Sequence, residues 1–495
     1  MRHHIGLVGV CLTLLAAGCQ SALQSDVEAA LANPEQTGIR WGLVVADMDG
    51  NELLALQPDQ RFTPASNTKV ITTMASYHHL DDLQRDAINP GTRVFVEQSA
   101  GGSPPTLVLK GGGDAMLSDA ADCETYCLAE LADAVAATGL SEIAGIVGDD
   151  TLFPFERWGP GWSIEDLQFY YGTAVSALSL NDNLAWITVQ AGAAPGDPAR
   201  VAWQAGDAVY GISNEVRTIA ADTDRALRVE RYPGAATVRV YGTLPAGSTE
   251  LNFGLAIDDP AAFAAQRFKH LLEARGIQVG SASARHRPLR LIDEAPDPDA
   301  EAFTRGSLIN RTPEQPLAVL PASSLTESLA RISKDSENLH AEIAVRRMGL
   351  LDGSGSRDHG VAVLDTFLQE AGLSEYDYAV HGGSGMSIYN RISPRGMVRL
   401  LAFAAQQPWF DAWRADQPIG GVDGSLERRF VGTPLEGRIF AKTGTLNGAN
   451  ALSGILAAAS GQELLFSILA NDRPATTRSA IAEMDAALIV IAESY

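Results

Sequence analysis

The chain of 495 residues is longer than one ordinary apolar core supports, so two or three domains are expected. Its 60 acidic and 37 basic residues give a net charge of -23, which argues against nucleic acid or an anionic membrane surface as the main partner. The composition is otherwise that of a globular protein.

The sequence begins with MRHHIGLVGVCLTLLAAGCQSALQ, a short basic start followed by an apolar stretch and small residues. This pattern predicts an export signal over residues 1–24, and the apolar run is too short to span a bilayer securely. LLAAGC resembles a bacterial lipoprotein signal, in which Cys19 becomes the lipidated N-terminus, although Ala16 stands where that pattern has leucine. Ordinary cleavage nearby is the alternative. We therefore expect a periplasmic protein, held at the outer membrane if Cys19 carries lipid.

The next elements alternate between strand and helix patterns. RWGLVVADMDGNELLALQPDQRF indicates two strands around an MDGN turn, and an amphipathic helix is predicted from about Ser66. From residue 86, short β-rich runs between Gly and Pro turns predict a largely β insertion over 86–304, ending in the acidic linker LIDEAPDPDAEAF. Within it, Cys123 and Cys127 form either a local disulfide or two free thiols. A metal site there is disfavoured because no histidine is near.

Helical periodicity returns in SSLTESLARIS and NLHAEIAVRRMGLL, separated by KDSE. Three strand-like segments, GRIFAKTGT, NALSGILAAAS and ELLFSILAND, then precede a last helix. Strands from both ends of the sequence beside helices predict one sheet with helices on its faces. Residues 25–85 and 305–495 are therefore expected to form one domain around the inserted residues 86–304.

The candidate nucleophile is Ser66, which lies three residues before Lys69 at the predicted helix start. Residues three apart share a helix face, so the amine can take the serine proton. Taken alone, the pair is better explained by a capping serine and a solvated lysine. Two later motifs favour chemistry: Ser336-x-Asn338 between two helices, and the KTGT sequence that starts at Lys442 on a predicted strand. The ordered set of three motifs is the signature of penicillin-recognising serine enzymes.

With these motifs the chain resembles the low-molecular-mass class C penicillin-binding proteins, the D-Ala-D-Ala carboxypeptidases and endopeptidases of peptidoglycan. GPGWSIEDLQFYYGTAVSALSLNDN, GGSGMSIYNRISPRGM, PIGGVDGSLERRF and AKTGTLNGANALSGIL also carry the resemblance. It implies an α+β multidomain fold. One domain is β-lactamase/transpeptidase-like, with an antiparallel sheet and helices on both faces, and the largely β insertion forms two smaller domains. It further implies peptidoglycan stem peptides as substrates, β-lactams as covalent inhibitors, and neither a metal nor an organic cofactor.

The resemblance also implies roles for the motif residues. Ser66 would attack the peptide carbonyl, with its backbone N–H in the oxyanion hole. Lys69 must be neutral to act as the base, and both burial and the nearby Lys442 would lower its pKa. Ser336 would relay the proton to the leaving amine. The amide of Asn338 would contact the substrate's peptide group.

Further residues are expected to bind the substrate. Lys442 and Thr443 would hold the terminal carboxylate, and Gly444 would let the strand lie close against the substrate. The backbone N–H of Thr445 would be the second oxyanion donor. Asp166, in SIEDLQF, matches a family segment that leans toward the active site. It would bind the amino end of a substrate side chain, the alternative being a plain surface carboxylate.

Some positions depart from the family pattern. Glu337 replaces the usual aspartate of the S-x-N motif, and Ile388 replaces an arginine, which removes an anchor for an anionic stem group. His340 is expected on a helix surface and not in catalysis. Two rival functions are a β-lactamase, for which no counterpart of the class A glutamate is found, and a non-catalytic wall-binding scaffold, which has no need of the intact motif set.

Overall fold

The computed structural model divides into two compact units. It describes residues 22–34, 37–80, 90–98, 100–204, 209–289, 315–351, 353–474 and 479–495. The first unit comprises Met1–His79, Leu329–Glu337 and Val361–Tyr495, and the second comprises Leu80–Ser328 and Asn338–Gly360. The predicted limits of the insertion, near residues 86 and 304, fall in ranges outside the described residues and stay a prediction, as does the linker after residue 290.

The strands of both units, in chain order, are β1 (Arg40–Ala46), β2 (Glu52–Leu56), β3 (Thr92–Glu97), β4 (Thr106–Lys110), β5 (Glu142–Pro154), β6 (Leu184–Gln190), β7 (Arg200–Trp203), β8 (Gly211–Ile219), β9 (Ala226–Glu230), β10 (Thr237–Pro245), β11 (Leu251–Ala256), β12 (Gln278–Arg287), β13 (Ala318–Leu320), β14 (Tyr378–Ala379), β15 (Arg391–Ile392), β16 (Ile439–Leu446), β17 (Ala449–Ala457) and β18 (Glu463–Asn471).

The α-helices are α1 (22–31), α2 (Thr68–His79), α3 (Leu128–Ala136), α4 (Pro260–Glu273), α5 (Leu325–Lys334), α6 (Asn338–Met348), α7 (Arg357–Glu370), α8 (Pro394–Ala405), α9 (Phe410–Ala415) and α10 (Ile481–Ser494). Short 3-10 turns lie at Ala65–Asn67, Ala100–Gly102, Tyr170–Gly172, Asn181–Asn183 and Gly424–Leu426. None of the helices over the described residues combines the length and apolar character needed to cross a membrane.

The first unit is built on a five-stranded antiparallel sheet with the strand order β16-β17-β18-β1-β2. The predicted hairpin forms because Asp47 closes the turn between β1 and β2: its Oδ1 accepts from the backbone N–H groups of Asp49 and Asn51, at 3.0 and 2.9 Å. β1 then pairs with β18, with Arg40 opposite Asn471. The two ends of the sequence therefore share one sheet, as predicted.

Helices cover both faces of this sheet because its strands alternate between two apolar layers. In β1, Leu43 and Val45 are buried in a core that also contains residues of α1 and α10. The preceding residue, Gly42, belongs to the opposite face, where a β-carbon would lie 2.8 Å from Pro394, the first residue of α8. The strand order leaves β16, which carries KTGT, at one edge of the sheet.

The second unit contains two separate apolar cores. One lies on a mixed sheet with the order β12-β5-β4-β3-β13, against which Leu131 of α3 and Phe268 of α4 are buried. The other lies among two three-stranded sheets, β8-β10-β9 and β11-β6-β7, and includes Ile187 and Val240. The first core also includes Ala318 and Leu320 of β13, beyond the predicted insertion, and it is α/β and not purely β. The division of the insertion into two smaller domains stays a prediction.

Cys123 and Cys127, just before α3, form a disulfide with an S–S distance of 2.09 Å. Of the two alternatives that the sequence left open, the structure therefore has the bonded form. The bridge closes a short local loop, so it fixes the entry into α3 and not the long-range topology.

Candidate active site

Ser66 lies in the 3-10 turn Ala65–Asn67, immediately before α2. Ala65 has a φ of 48°, a left-handed conformation that is costly for a residue with a β-carbon. Asn67 ties the turn to the edge strand, because its Nδ2 donates to the backbone carbonyl of Lys442 at 2.6 Å. The turn departs from helical geometry here, so Ser66 stays partly exposed whereas Thr68 and the following residues of α2 are buried.

Two glycines allow the backbone to close on this turn. Gly385 has a φ of 89°, and a β-carbon there would collide with the carbonyl oxygen of Ala65. Gly444 of β16 approaches from another segment, where a β-carbon would lie 2.5 Å from the carbonyl oxygen of Pro64. The sequence predicted Gly444 to make room for the substrate. The structure gives it a second reason, which is contact with the turn that carries Ser66.

Lys69, the second residue of α2, is fully buried, and its Nζ lies 3.0 Å from the Oγ of Ser66. The same Nζ donates to the backbone carbonyl of Ser384 at 2.6 Å. Thr72, next along this face, donates its hydroxyl to the carbonyl of Gly383 at 2.8 Å, so the segment is held against α2 at two points. The carbonyl of Ser384 therefore orients the amine toward Ser66, within the range needed for proton transfer.

A second amine–hydroxyl pair is formed by Lys442 and Ser336. Ser336 has a φ of 63°, and its Oγ lies 2.9 Å from the Nζ of Lys442. Lys442 is 1% exposed, and burial lowers its pKa to about 7 from an ordinary value of 10.5. This lysine consequently lies close to the balance between its charged and neutral forms at neutral pH.

The hydroxyls that follow Lys442 on β16 have hydrogen-bonded partners. Thr443 donates its Oγ1 to the Oγ of Ser425 at 2.7 Å, and Asn450 on β17 donates its Nδ2 to the Oγ1 of Thr445 at 3.3 Å. Ser425 lies in the 3-10 turn Gly424–Leu426. The sequence did not single it out, although PIGGVDGSLERRF contains it.

The turn that bears Ser425 is fixed from the end of α5. Lys334 donates its Nζ to the carboxylate of Asp423 at 2.5 Å and to the carbonyl of Gln417 at 3.1 Å. Asp423 in turn accepts from the backbone N–H of Ile419 at 2.9 Å. These hydrogen bonds hold the loop in place, so the hydroxyl of Ser425 has a fixed position beside Thr443.

The remaining predicted site residues, Asn338 and Asp166, belong to the second unit, where Tyr171 connects them. Asn338 donates its Nδ2 to the backbone carbonyl of Tyr171 at 2.8 Å, and the Tyr171 hydroxyl donates to Oδ1 of Asp166 at 3.2 Å. Burial raises the pKa of Asp166, and burial together with this carboxylate raises the pKa of Tyr171 to about 12. Tyr171 thus stays protonated at neutral pH and acts as the donor.

The expectation that His340 lies on a helix surface is wrong. His340 is 1% exposed, and its Nε2 lies 2.9 Å from Oδ1 of Asp182 in the turn Asn181–Asn183. Leu339 to Met348 of α6 are buried throughout, so this helix has no solvated face for the histidine to occupy. Its role is to join two parts of the second unit.

The first unit therefore brings together two amine–hydroxyl pairs, Ser66 with Lys69 and Ser336 with Lys442. Hydroxyl and amine groups in these pairs are suited to nucleophilic acyl transfer. Three contact residues escaped the sequence analysis because a backbone carbonyl or a lone hydroxyl has no motif of its own, and their only signal is that they lie in the stretches carrying the resemblance: Ser384, Ser425 and Tyr171.

Comparisons with known proteins agree with this geometry. The D-Ala-D-Ala carboxypeptidase 3 (S13) family matches residues 23–287 and 305–491. A D-alanyl-D-alanine carboxypeptidase of Actinomadura sp. (strain R39) is 32% identical over 488 residues, covering 95% of this chain and 84% of that protein. A penicillin-sensitive carboxypeptidase A of Dictyostelium discoideum is 24% identical, covering 92% of this chain and 87% of its own.

The fold is shared with a solved structure. Penicillin binding protein 4 (dacB) from Haemophilus influenzae superposes with a TM-score of 0.76 at 20% identity, covering 94% of this chain and 98% of that one. This likeness confirms the predicted fold class, and the family match confirms the resemblance drawn from the motifs. The chain belongs to the D-Ala-D-Ala carboxypeptidase 3 (S13) family.

Proposed function

We propose that this protein is a serine-type D-Ala-D-Ala carboxypeptidase that acts on peptidoglycan stem peptides through an acyl-enzyme on Ser66. The observation that carries the proposal is the buried amine of Lys69, 3.0 Å from the Oγ of a partly exposed serine. The family match supplies the substrate class. A D-alanyl-D-alanine carboxypeptidase is among its relatives, and the H. influenzae protein has also been solved in complex with a β-lactam.

In the acylation step, neutral Lys69 takes the proton of Ser66 as its Oγ attacks the carbonyl carbon of the penultimate D-alanine. The carbonyl oxygen gains negative charge, which the backbone N–H groups of Ser66 and Thr445 would stabilise. As the tetrahedral intermediate collapses, the C–N bond breaks and the leaving amine takes a proton through Ser336. Terminal D-alanine departs, and the stem peptide remains as an ester on Ser66.

Water then attacks the ester, with Lys69 again taking a proton, and restores the hydroxyl of Ser66. An endopeptidase reaction on cross-linked stems would use the same acyl donor with a different leaving amine. β-Lactams would acylate Ser66 because their strained amide occupies the same position, and opening of the ring keeps the leaving amine attached. The carboxypeptidase and endopeptidase activities therefore share every step except the identity of the amine.

Recognition of the substrate carboxylate falls to Lys442 and Thr443. The ammonium supplies charge, and the Thr443 hydroxyl is held in position by Ser425, 2.7 Å away. Asn338 would contact the peptide group to be cleaved, with its own amide positioned by the carbonyl of Tyr171. Asp166 would bind the amino end of a stem side chain, because the positive charge of that ammonium group is attracted to the Asp166 carboxylate.

Burial of Lys442 predicts a pH dependence of carboxylate recognition. Its pKa of about 7 means that the free enzyme loses this positive charge as the pH rises through 7. We expect kcat/KM for a peptide ending in D-Ala-D-Ala to fall above about pH 7, approaching tenfold per pH unit, since kcat/KM reports the free enzyme. Measurement of kcat/KM from pH 5 to 9 tests this decrease.

The matched control is the same peptide with a C-terminal carboxamide. It has no carboxylate for Lys442 to attract, so its kcat/KM should be lower but should not fall above pH 7. The same decrease for both peptides would assign the titration to another group.

The proposed function is tested with purified full-length protein, a stem-like peptide ending in D-Ala-D-Ala and a fluorescent penicillin. We expect release of one D-alanine per peptide, no release of L-alanine from a D-Ala-L-Ala control, and a stable adduct on the tryptic peptide of residues 62–69, which contains Ser66. Rapid turnover of the penicillin without D-alanine release would indicate a β-lactamase instead. Neither adduct nor release would indicate a scaffold.

We further propose export to the periplasm, with lipid on Cys19. The support is the signal-like sequence of residues 1–24, which contains LLAAGC at residues 14–19. Residues 1–21 lie outside the described part of the chain. Intact mass of the protein from bacterial membranes tests this proposal. A diacylglyceryl mass that is lost in Cys19→Ser supports it, and a mature chain starting elsewhere without lipid contradicts it.

A further inference from the structure

Two adjacent histidines and a glutamate form a cluster in the first unit that the proposed reaction does not use. His78 and His79 are the last residues of α2, and Glu370 is the last residue of α7. One potential ligand atom from each of the three lies within 4.8 Å of the others. The twelve-residue α2 begins beside Ser66, so at 1.5 Å per residue the cluster lies about 18 Å along the helix from the nucleophile.

The spacing between His78 and Glu370 suits two ligands of one metal ion. Their Nε2 and Oε2 atoms are 3.3 Å apart. A direct charge-assisted hydrogen bond would be shorter, at about 2.7–2.9 Å. Two ligand atoms bound tetrahedrally to zinc at about 2.0–2.1 Å are themselves about 3.3–3.4 Å apart.

The electrostatic setting also favours a cation. The C-terminal end of a helix carries a partial negative charge from its unpaired carbonyls. Because His78 and His79 end α2 and Glu370 ends α7, two such ends meet at the cluster. The Glu370 carboxylate adds a full negative charge, so a bound cation would be stabilised from three sources.

Aromatic rings surround the imidazoles and restrict their motion. The ring centroid of His78 lies 5.3 Å from that of Phe367 and 6.2 Å from that of Trp409. The ring of His79 lies 6.1 Å from Phe367 in an edge-on arrangement. Glu370 has a side chain that is 48% exposed, which leaves an entry path for an ion on the solvent side.

We propose that His78, His79 and Glu370 bind one Zn²⁺ ion, with water as the fourth ligand. Two imidazoles and one carboxylate are a ligand set that zinc accepts in tetrahedral geometry and that Mg²⁺ and Ca²⁺, which take oxygen ligands, do not favour. The ion joins the C-terminal ends of α2 and α7. It therefore stabilises the helix whose opposite end positions Ser66, and takes no part in acyl transfer.

The test is calorimetric titration of Zn²⁺ into full-length, chelator-treated protein that carries no affinity histidine tag, with the thermal unfolding midpoint measured alongside. We expect saturation at one ion per chain, a rise in the midpoint, and no competition from excess Mg²⁺. Glu370→Gln, at an exposed position, and His79→Gln should each lower the affinity at least about tenfold.

The matched control is His270→Gln, which changes an exposed histidine on α4 of the second unit. This variant should bind Zn²⁺ as the parent does. Absence of saturable binding, unchanged affinity in Glu370→Gln and His79→Gln, or loss of binding in His270→Gln would each overturn the site. The penicillin adduct is measured on the same samples, so failure of the zinc site and failure of the peptidase function are separate results.

Discussion

Replacement of Ser66 by alanine should abolish both the penicillin adduct and the release of D-alanine. The Oγ of Ser66 is the atom that forms the ester bond, and the alanine variant leaves Lys69 with no hydroxyl to deprotonate. The bond from Asn67 to the carbonyl of Lys442 does not involve the hydroxyl, so the turn should keep its conformation. Intact mass after incubation with benzylpenicillin measures the adduct, and the thermal unfolding midpoint verifies the fold.

The matched control is Ser76→Ala, at a serine within α2, the helix that follows the Ser66 turn. Its hydroxyl donates to the backbone carbonyl of Thr72 at 2.8 Å within the helix, so its removal should leave acylation unchanged. A Ser66→Ala protein that still acquires the adduct mass would contradict the assignment of the nucleophile. Mapping of that adduct would then identify the residue responsible.

Replacement of Lys69 by methionine should slow acylation by roughly 10²–10⁴-fold, the usual contribution of a positioned general base. Methionine has similar length but no amine, so the hydroxyl of Ser66 keeps its place and loses its proton acceptor. The adduct should add the same mass as in the parent, only more slowly, and lie on the tryptic peptide of residues 62–85, because the variant lacks the cleavage site at residue 69. The second-order rate constant with a fluorescent penicillin separates this loss of rate from a loss of folded protein.

Lys269→Met provides the control for a lost lysine. Like Lys69, Lys269 donates to a backbone carbonyl at 2.6 Å, in its case that of Val279, but it belongs to the second unit. Acylation in this variant should match the parent. If Lys69→Met acylated at the parental rate, another group would have to be the base.

The sequence was sufficient to predict the elements that carry the chemistry. Ser66 and Lys69 are close because three residues span almost one helical turn, which is a local rule that needs no tertiary information. The pairing of Lys442 with Ser336 depends on tertiary structure. The family resemblance placed both residues in the site but did not predict that they pair, and the distance of 2.9 Å comes from the fold.

Other features depend on tertiary contacts that residue type does not encode. The carbonyl of Ser384 orients Lys69, yet every residue has such a carbonyl, so nothing in the sequence distinguishes it. His340 shows the same limitation through a prediction that was wrong. Its helix is enclosed on all sides, and even the charged residues Glu342 and Arg346 are buried there, which residue type alone does not indicate.

The pairing of Arg40 on β1 with Asn471 on β18 bears on how the molecule is made. A ribosome synthesises the N-terminal strands first, but their sheet partner is among the last segments to appear, so these strands wait through most of translation. Both cores of the second unit are built largely from intervening sequence and can form earlier. Premature termination before β18 therefore yields a folded accessory region joined to an unpaired, aggregation-prone hairpin, and never a partly active enzyme.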